Sequence, residues 1–489
     1  MMKVEKNYLS RVLALLLLTF LFCSLFYFLP EKIFGYSVKR VDLLSDIRVK
    51  KESLVMDSLR MQLSQVDSTF LADSLEMEEE KKNTKLDSIK LAISDSLYRQ
   101  MAMVQGADSS GKHIEDYSQG HVALQKFFTA LRNRDKLGRP VRVAFLGDSF
   151  IEGDIIVGDF RSALQKMFGG HGVGFVPVDA VAAQYRPTVK QESSGWRTWS
   201  MLTDHSQKYT LSGLTFVPDS TAKQSVLSLK ATGYYPELAS VSSLKLLYEK
   251  NTHTRMQLFC NGGIDSVSVI LPPTDHLTQY EYVGNIEDAR FVFSEAQGFK
   301  LLGAAMEDNE GIVVDNFSLR GNSGIVMQRI DSLLCRDLAA VRPYDLIILQ
   351  YGLNVASEGL LQYGWYAQKM VNVIRHIQNC FPEADVLLLG VSDRGQQIDG
   401  RFETMPAVLA LLNTQRQVAR KTKIAFWNTF GAMGGENSIV RFVKNNWASK
   451  DYTHVSFRGG REIARVLFDA LMKEKEFYDE VDEKMAGQM

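Results

Sequence analysis

The stretch Val141-Arg-Val-Ala-Phe-Leu-Gly-Asp-Ser149 decides the fold, because an apolar, β-branched run ends directly in Gly147, Asp148 and Ser149. Such a run predicts a buried parallel strand, and the glycine lets the backbone turn sharply after it. Ser149 would then stand at the carboxyl edge of the sheet, where open α/β folds bind their ligands. Taken alone, the tripeptide also fits an ordinary turn with an N-cap serine.

The composition is that of a globular protein with room for two or three domains. The chain has 489 residues, of which 45% are hydrophobic and 23% charged, and its formal net charge is −1. It contains no Lys/Arg-rich block with interleaved aromatic residues, so nucleic acid is not expected as a partner. The four cysteines form no CxxC pair and no cluster with histidine, a pattern that supports neither a zinc site nor a disulfide framework.

Residues 12–29 form a largely apolar segment that is long enough to span a bilayer. Lys3, Lys6 and Arg11 precede it, and their positive charge predicts that this end stays in the cytoplasm. Bulky residues at the end of the segment favour an uncleaved anchor over a cleaved signal peptide, which is the alternative. We therefore expect a membrane anchor over residues 1–35, with the remainder of the chain outside.

Residues 36–112 are polar and charged, and they predict a helical stalk or linker. Leucines such as Leu54, Leu63 and Leu71 are spaced loosely along one helical face. Strict heptads are not sustained, so broken amphipathic helices that could self-associate are favoured over a long coiled coil.

Beyond the stalk, the pattern predicts an α/β domain that is interrupted by a β-rich module. Residues 113–185 and 305–480 alternate between apolar strands and amphipathic helices, which is typical of a parallel sheet flanked by helices. Residues 186–304 instead contain short, partly alternating β segments, which predict a sandwich or a jelly roll. The module is expected between the first and second strands of the α/β sheet.

Three later sites could carry chemistry together with Ser149. Gly324 and Asn354 each follow a predicted strand, and Asp451-Tyr-Thr-His454 precedes the last helix. Since the loops after parallel strands converge on one edge of a sheet, these residues could meet. The alternatives are an ordinary turn glycine for Gly324, a loop cap for Asn354, and a capped loop before a helix for Asp451 and His454.

The ordered set Gly147-Asp148-Ser149, Gly324, Gly352-x-Asn354 and Asp451-x-x-His454 resembles the four blocks of the SGNH hydrolases, also called the GDSL esterase/lipase superfamily. The resemblance covers roughly residues 142–471 without the insert. It implies a three-layer α/β/α domain with a flavodoxin-like parallel sheet.

Within that superfamily, the anchor, the β-rich insertion and the form Gln350-Tyr-Gly-Leu-Asn354 resemble bacterial peptidoglycan O-acetylesterases and related envelope polysaccharide O-acetyl esterases or transferases. Two departures stand out. Phe150 replaces the leucine of the motif's name, and Val355 replaces an aspartate of many members, which puts one supporting contact in doubt.

The resemblance implies a role for each block in acyl transfer. Ser149 would be the nucleophile, His454 its general base, and Asp451 the acid that orients the imidazole. The backbone N–H groups of Ser149 and Gly324, with the side-chain amide of Asn354, would form the oxyanion hole. Gly321 is the alternative to Gly324. No metal and no organic cofactor is expected.

Four residues are weaker candidates for substrate binding. Trp196 and Trp199 lie near the start of the insert and could stack on sugar rings, although tryptophans in a β module are more often core residues. Asp393 and Arg394 follow a predicted strand at the catalytic edge and could shape the pocket, although charged residues in such loops are commonly only solvated.

The expected function is therefore a serine esterase that removes O-acetyl groups from a cell-wall or envelope glycan, above all peptidoglycan. The expected location is the bacterial inner membrane, single-pass, with the catalytic domain in the periplasm or outside the cell. An O-acetyltransferase would use the same acyl-serine intermediate, with a sugar hydroxyl in place of water. A non-catalytic glycan-binding scaffold is the alternative from another class, and the complete set of Ser149, Asp451 and His454 argues against it.

Overall fold

The computed structural model describes residues 108–486, with side chains up to residue 480, and a short pairing of β1 (Lys32–Ile33) with β2 (Tyr36–Ser37). The membrane segment predicted over residues 12–29 and most of the predicted stalk lie outside the described residues. Within the described part of the chain, no helix combines the length and the apolar character needed to cross a bilayer. From residue 108 onward the chain belongs to one compact unit.

A six-stranded sheet forms the centre of the α/β domain. Its strands are β3 (Glu115–Asp116), β4 (Val141–Gly147), β16 (Ile312–Ser318), β17 (Leu346–Gln350), β18 (Asp385–Leu389) and β21 (Ala425–Trp427). They lie in the order β16-β4-β17-β18-β21-β3, and only β3 runs antiparallel to its neighbour. The parallel strands thus follow the flavodoxin-like order, in which the first strand lies between the second and the third.

Burial on both faces explains why β4 reads as a continuous apolar run. Every residue of Val141–Gly147 is buried, including Arg142, whose guanidinium is paired. The register aligns Gly147 with Ser318 of β16 and with Gln350 of β17. The loops after these three strands consequently leave the sheet at the same level.

Eight helices accompany the sheet in the described residues. They are α1 (Gln125–Arg132), α2 (Val157–Phe168), α3 (Ser332–Val341), α4 (Gly364–Cys380), α5 (Pro406–Thr422), α6 (Thr429–Ala432), α7 (Ser438–Lys444) and α8 (Phe457–Ala486). Helix α2 packs against α8, and α4 packs against α5. Local signals mark some helix ends: Asp331 caps α3 by accepting the N–H groups of Leu333 and Leu334, and proline opens α5.

The inserted module consists of two antiparallel sheets between β4 and β16. Its strands are β5 (Gly174–Pro177), β6 (Val189–Ser194), β7 (Trp196–Ser200), β8 (Leu214–Pro218), β9 (Ser225–Ala231), β10 (Val241–Lys250), β11 (Thr254–Cys260), β12 (Asp265–Leu271), β13 (Thr278–Ile286), β14 (Asp288–Ser294) and β15 (Lys300–Glu307). One sheet has the order β13-β10-β15-β8-β7, with β5 also on β15, and the other has β12-β11-β14-β9-β6. The pairing of β5 with β15 extends these sheets beyond the predicted 186–304 on both sides.

Residues 108–112, which were predicted to be the end of the stalk or linker, pack against the α/β domain. The Trp427 indole donates to the carbonyl of Gly111 at 2.8 Å, and the Asn428 amide donates to the carbonyl of Asp108 at 2.8 Å. Gly111 has a φ of +66°, and a Cβ there would lie 2.5 Å from the backbone nitrogen of Ala432. Glycine at position 111 therefore lets the backbone of this segment pack closely against α6. Residues 108–112 belong to the α/β domain.

A buried network of charges joins the insert to the α/β domain. Glu307, at the end of β15, accepts hydrogen bonds from Arg142 at 2.8 Å, Lys245 at 2.9 Å and Arg342 at 2.5 Å. Arg342 also contacts Asp315 of β16 at 2.7 Å. Burial opposes ionisation of Glu307, but the three cations outweigh it and hold its pKa well below the usual range. The insert is thus fixed to β4, the first parallel strand of the α/β domain.

Candidate active site

Ser149 stands at the carboxyl edge of the sheet because Gly147 ends β4 without a side chain. A Cβ at Gly147 would lie 2.8 Å from the Gln350 side chain and 2.8 Å from Ile151, so the turn leaves no room for a larger residue. The loop of β4 can therefore fold tightly against β17. This places Ser149 at the topological switch point, where doubly wound sheets bind ligands.

Ser149, His454 and Asp451 lie in one hydrogen-bonded line, although they are far apart in sequence. The Ser149 Oγ is 3.2 Å from His454 Nε2, and His454 Nδ1 is 2.7 Å from Asp451 Oδ2. About half of the His454 and Asp451 side chains is exposed, at 48% and 49%. This is the geometry of a nucleophile, a base and an orienting carboxylate.

The loop around Asp451 holds its carboxylate in the ionised form. The Oδ1 atom of Asp451 accepts the N–H groups of Thr453 at 2.9 Å and His454 at 3.0 Å, and the Ser449 hydroxyl at 2.5 Å. Burial would raise the pKa of Asp451, but the hydrogen bonds from His454 and Ser449 outweigh it and hold the pKa far below the usual range. The hydrogen bond to Asp451 in turn raises the pKa of His454, against an opposing effect of burial.

Asn354 ties together the loops that follow β4, β16 and β17. Its amide nitrogen donates to Asp148 Oδ2 at 2.8 Å and to the Asn322 carbonyl at 3.0 Å. Burial raises the pKa of Asp148 to about 7, although the Phe150 N–H, His454 and Asn354 oppose that rise. Both amide hydrogens of Asn354 thus donate to protein acceptors. Asn354 lies at the site, but neither hydrogen is free for the oxyanion role predicted from the sequence.

Gly324 does not offer a free N–H. Its N–H donates to the Asn322 side chain at 2.8 Å, and a Cβ there would lie 2.9 Å from Tyr351. Gly321 has a φ of +78°, open space where a Cβ would be, and an N–H that meets no acceptor within the described part of the chain. The geometry therefore contradicts Gly324 as a donor and favours the alternative, Gly321. The signal that sequence reasoning missed was position, because Gly321 is the third residue after β16 and Ser149 is the second residue after β4.

The two tryptophans proposed for sugar stacking are engaged elsewhere. The Trp196 indole donates to the Val226 carbonyl at 2.9 Å, and its ring packs edge-on against Phe293 in the core of the insert. Trp199 has the Lys300 ammonium over its ring at 5.4 Å. Both contacts belong to the insert itself, as expected for tryptophans of a β module.

Asp393 and Arg394, which were predicted to shape the substrate pocket, both make contacts within the protein. Asp393 is fully buried and accepts the Ile439 N–H at 2.9 Å and the Ser438 hydroxyl at 3.2 Å, so it anchors the start of α7. Burial raises its pKa. Arg394 donates to the Ala356 carbonyl at 3.4 Å and thereby supports the loop after β17. Asp393 is thus buried away from a substrate, whereas Arg394 remains partly exposed.

Two features near His454 were not predicted from the sequence. Arg320 pairs with Glu152, and its positive charge acts on His454 to lower the pKa, against the larger effect of Asp451. A hairpin of β19 (Gly395–Ile398) and β20 (Arg401–Thr404) packs on the loop that carries Asp451 and His454. A hairpin this short has too few alternating residues to stand out in a sequence pattern.

One group of side chains has the residue types of a metal site, but its members form hydrogen bonds with protein groups. Ligand atoms of Asp116, His121 and Glu474 lie within 4.8 Å of one another. His121 Nε2 contacts Glu474 Oε1 at 2.7 Å, while the Asp116 carboxylate accepts the Ala123 N–H at 2.9 Å. The group lies by β3, at the edge of the sheet farthest from β16. It takes no part in the arrangement around Ser149.

Comparison with known proteins agrees with the fold. Neither a model of a protein family nor a curated protein matches the sequence. A similar fold is found among solved structures. A structure described as a peptidoglycan O-acetylesterase matches with a TM-score of 0.60 and 23% identity, over 74% of this chain and 99% of that chain.

Two further solved structures show weaker similarity. A family two carbohydrate esterase from Cellvibrio japonicus has a TM-score of 0.25 and 11% identity, over 59% of this chain and 99% of that chain. An acetyl xylan esterase has a TM-score of 0.26 and 19% identity, over 32% of this chain and 81% of that chain.

Proposed function

We propose that this protein is a serine esterase that removes O-acetyl groups from a cell-envelope glycan, with peptidoglycan as the first substrate to test. The proposal rests on the alignment of three side chains. Ser149 Oγ lies 3.2 Å from His454 Nε2, and His454 Nδ1 lies 2.7 Å from Asp451 Oδ2. The solved peptidoglycan O-acetylesterase with the same fold supports the choice of substrate.

The reaction uses the residues in two half-steps. His454 takes the proton of the Ser149 hydroxyl while Oγ attacks the acetyl carbonyl, and Asp451 stabilises the imidazolium that forms. The oxyanion meets the N–H groups of Ser149 and Gly321. Collapse of the tetrahedral intermediate breaks the bond to the sugar oxygen, which takes the proton from His454 and departs as a hydroxyl. Water, deprotonated by His454, then attacks the acyl-serine, acetate is released, and the proton returns from His454 to Ser149 Oγ.

Hydrolysis is favoured over transfer by the exposure of the site. His454 and Asp451 are about half exposed, so water reaches the base that must activate it. A transferase has to exclude water from its acyl-enzyme until a sugar hydroxyl arrives. The hydrogen-bonded triad also disfavours a purely glycan-binding role, which has no use for a serine aligned with a base.

The location is proposed from hydropathy alone. We infer that residues 12–29 anchor the chain in the inner membrane, with the catalytic domain in the periplasm or outside the cell. Fractionation of cells that produce the full chain tests this. Recovery of the full chain in the soluble fraction without an amino-terminal cut would contradict it.

The activity is tested with the full-length protein in detergent, on 4-nitrophenyl acetate and on O-acetylated peptidoglycan. We expect acetate release from both substrates and its loss in Ser149→Ala. Equal release by both proteins would refute the proposal. Addition of a deacetylated glycan separates the two chemistries, because an esterase sends the acetyl group to water and a transferase sends it to the glycan.

A further inference from the structure

An aromatic pair lies directly beside the proposed base. The ring of Phe402, on β20, stacks on the ring of Tyr452, with centroids 3.7 Å apart and planes 6° apart. Tyr452 stands between Asp451 and His454 in the catalytic loop. Two residues of extended chain span at most about 7 Å, so the pair is close to the reaction centre.

The hairpin of β19 and β20 is fixed at its base by contacts with the catalytic loop and with the start of α7. The Gly395 N–H donates to the Tyr452 carbonyl at 2.8 Å, and a Cβ at Gly395 would lie 2.8 Å from the Tyr452 Cβ. Thr404, the register partner of Gly395, donates its N–H to the Asn437 side chain at the start of α7 at 2.9 Å. The position of Phe402 over Tyr452 is thus built into the fold.

Phe402 remains 39% exposed although one of its faces is covered. In the register of the hairpin it lies opposite Gln397, so the two side chains share one face of the strand pair. An exposed aromatic surface with an amide beside it, next to a reactive serine, has the composition of a ligand site. The C–H groups on the flat side of a sugar ring are the chemistry that fits such a surface.

We propose that Phe402 and Tyr452 form a stacking surface for a pyranose ring of the glycan, next to the ring whose ester Ser149 attacks. Gln397 supplies hydrogen bonds to hydroxyl or acetamido groups at its rim. This inference rests on the proposed esterase activity for its role in catalysis, and its binding part can be tested without that activity. It assigns glycan recognition to the hairpin in place of Trp196 and Trp199.

The kinetic test compares Phe402→Ala, Phe402→Leu and Phe402→Trp on two substrates. Aromatic contacts of this kind contribute a factor of about three to ten. We expect the KM for O-acetylated peptidoglycan to rise by that factor in Phe402→Ala and Phe402→Leu, and to recover in Phe402→Trp. The kcat/KM for 4-nitrophenyl acetate should change much less than the value for the glycan. Phe477→Ala, at an exposed aromatic residue of α8, is the matched control and should behave like the parent protein.

Three results would overturn the inference. An equal loss on both substrates would mean that Phe402 only supports the catalytic loop, and an unchanged KM on the glycan would mean that no ring stacks there. Leucine keeps the apolar support without the flat ring, so recovery by Phe402→Leu would also contradict stacking.

A binding measurement separates this inference from the proposed activity. Titration of a β-1,4-linked N-acetylglucosamine tetrasaccharide into the Ser149→Ala protein should give a dissociation constant that weakens about three- to tenfold when Phe402→Ala is added. Equal affinities overturn the inference even in an active enzyme. If the parent protein releases no acetate, the proposed esterase function fails, while weakened binding would still place the sugar on Phe402.

Discussion

The Asn354 amide donates a hydrogen bond to Asp148 at 2.8 Å and thereby links the residue before the proposed nucleophile to the loop after β17. Asp148 is 1% exposed and no cation lies in hydrogen-bond contact with its carboxylate in the described structure. Burial destabilises the carboxylate more than the Phe150 N–H, the charge of His454 and the Asn354 amide stabilise it, so the pKa of Asp148 rises to about 7. The loop of the nucleophile therefore contains a carboxyl group that titrates near neutral pH.

Asp148→Asn should remove a pH dependence of stability. Because the pKa of Asp148 is about 7 when folded and near 4 when unfolded, the unfolded state loses its proton first as pH rises. The stability of the parent protein should fall by up to about 4 kcal/mol between roughly pH 4 and 7 relative to the variant. Urea unfolding of both proteins across that range measures the difference, and a constant difference would contradict the assignment.

Asp385→Asn is the matched control for that measurement. Burial also raises the pKa of Asp385 to about 7, but its carboxylate accepts the Phe127 N–H in the core at 2.9 Å. The difference in stability between the parent protein and Asp385→Asn should change with pH in the same way as the difference for Asp148→Asn. Acetate release by the folded Asp385→Asn protein should equal that of the parent protein.

Asp451→Asn should lower the rate and move the pH profile. The hydrogen bond to Asp451 raises the pKa of His454, and a base acts only when neutral, so the parent rate should rise with pH through a pKa above about 6.5. Without the carboxylate, the rising limb should move to lower pH while kcat falls by about 10³–10⁴. Ser449→Ala, which removes one hydrogen bond to Asp451, should give a smaller shift. A rising limb that stays in place in Asp451→Asn would contradict the assigned role.

Gly321→Ala and Gly324→Ala should separate an oxyanion donor from a packing residue. A methyl group at Gly324 would meet buried Tyr351, so that variant should lose about 1–3 kcal/mol of stability. A methyl group at Gly321 meets nothing, and the strain of its φ of +78° should shift the N–H that we assign to the oxyanion, lowering kcat about 10²-fold with a smaller loss of stability. Thermal unfolding and kcat, measured on both variants, decide the assignment. The reverse pattern would restore Gly324.

Glu307→Gln should destabilise the junction between the insert and the α/β domain. The variant leaves Arg142, Lys245 and Arg342 without their shared buried anion, and breaking such a network costs about 3–5 kcal/mol. Denaturant unfolding measures the loss. Asp469→Asn removes an exposed ion pair with Arg465 and should change stability by less than about 1 kcal/mol. Equal effects of the two substitutions would show that the network is not a structural junction.

Much of the fold could be predicted because its signals are local. The apolar run before Gly147 and the alternation of buried and exposed residues along β11 each reflect a periodicity that a few neighbouring residues carry. The order of β4, the insert and β16 along the chain followed from the change between these periodicities. The short strands β19 and β20, and the packing of residues 108–112, left no such local pattern.

The sequence by itself determined the order of the strands along the chain and the identity of Ser149, Asp451 and His454 as candidates, because a strand exit and a short Asp-x-x-His loop are local features. Only the tertiary structure decided which backbone N–H is free at the site, since the Asn322 side chain that occupies Gly324 is placed by the packing of its loop. It likewise decided which aromatic residues surround the site. Trp196 is drawn into the core of the insert, while Phe402 reaches the catalytic loop through a pairing that depends on the contact of Gly395 with Tyr452.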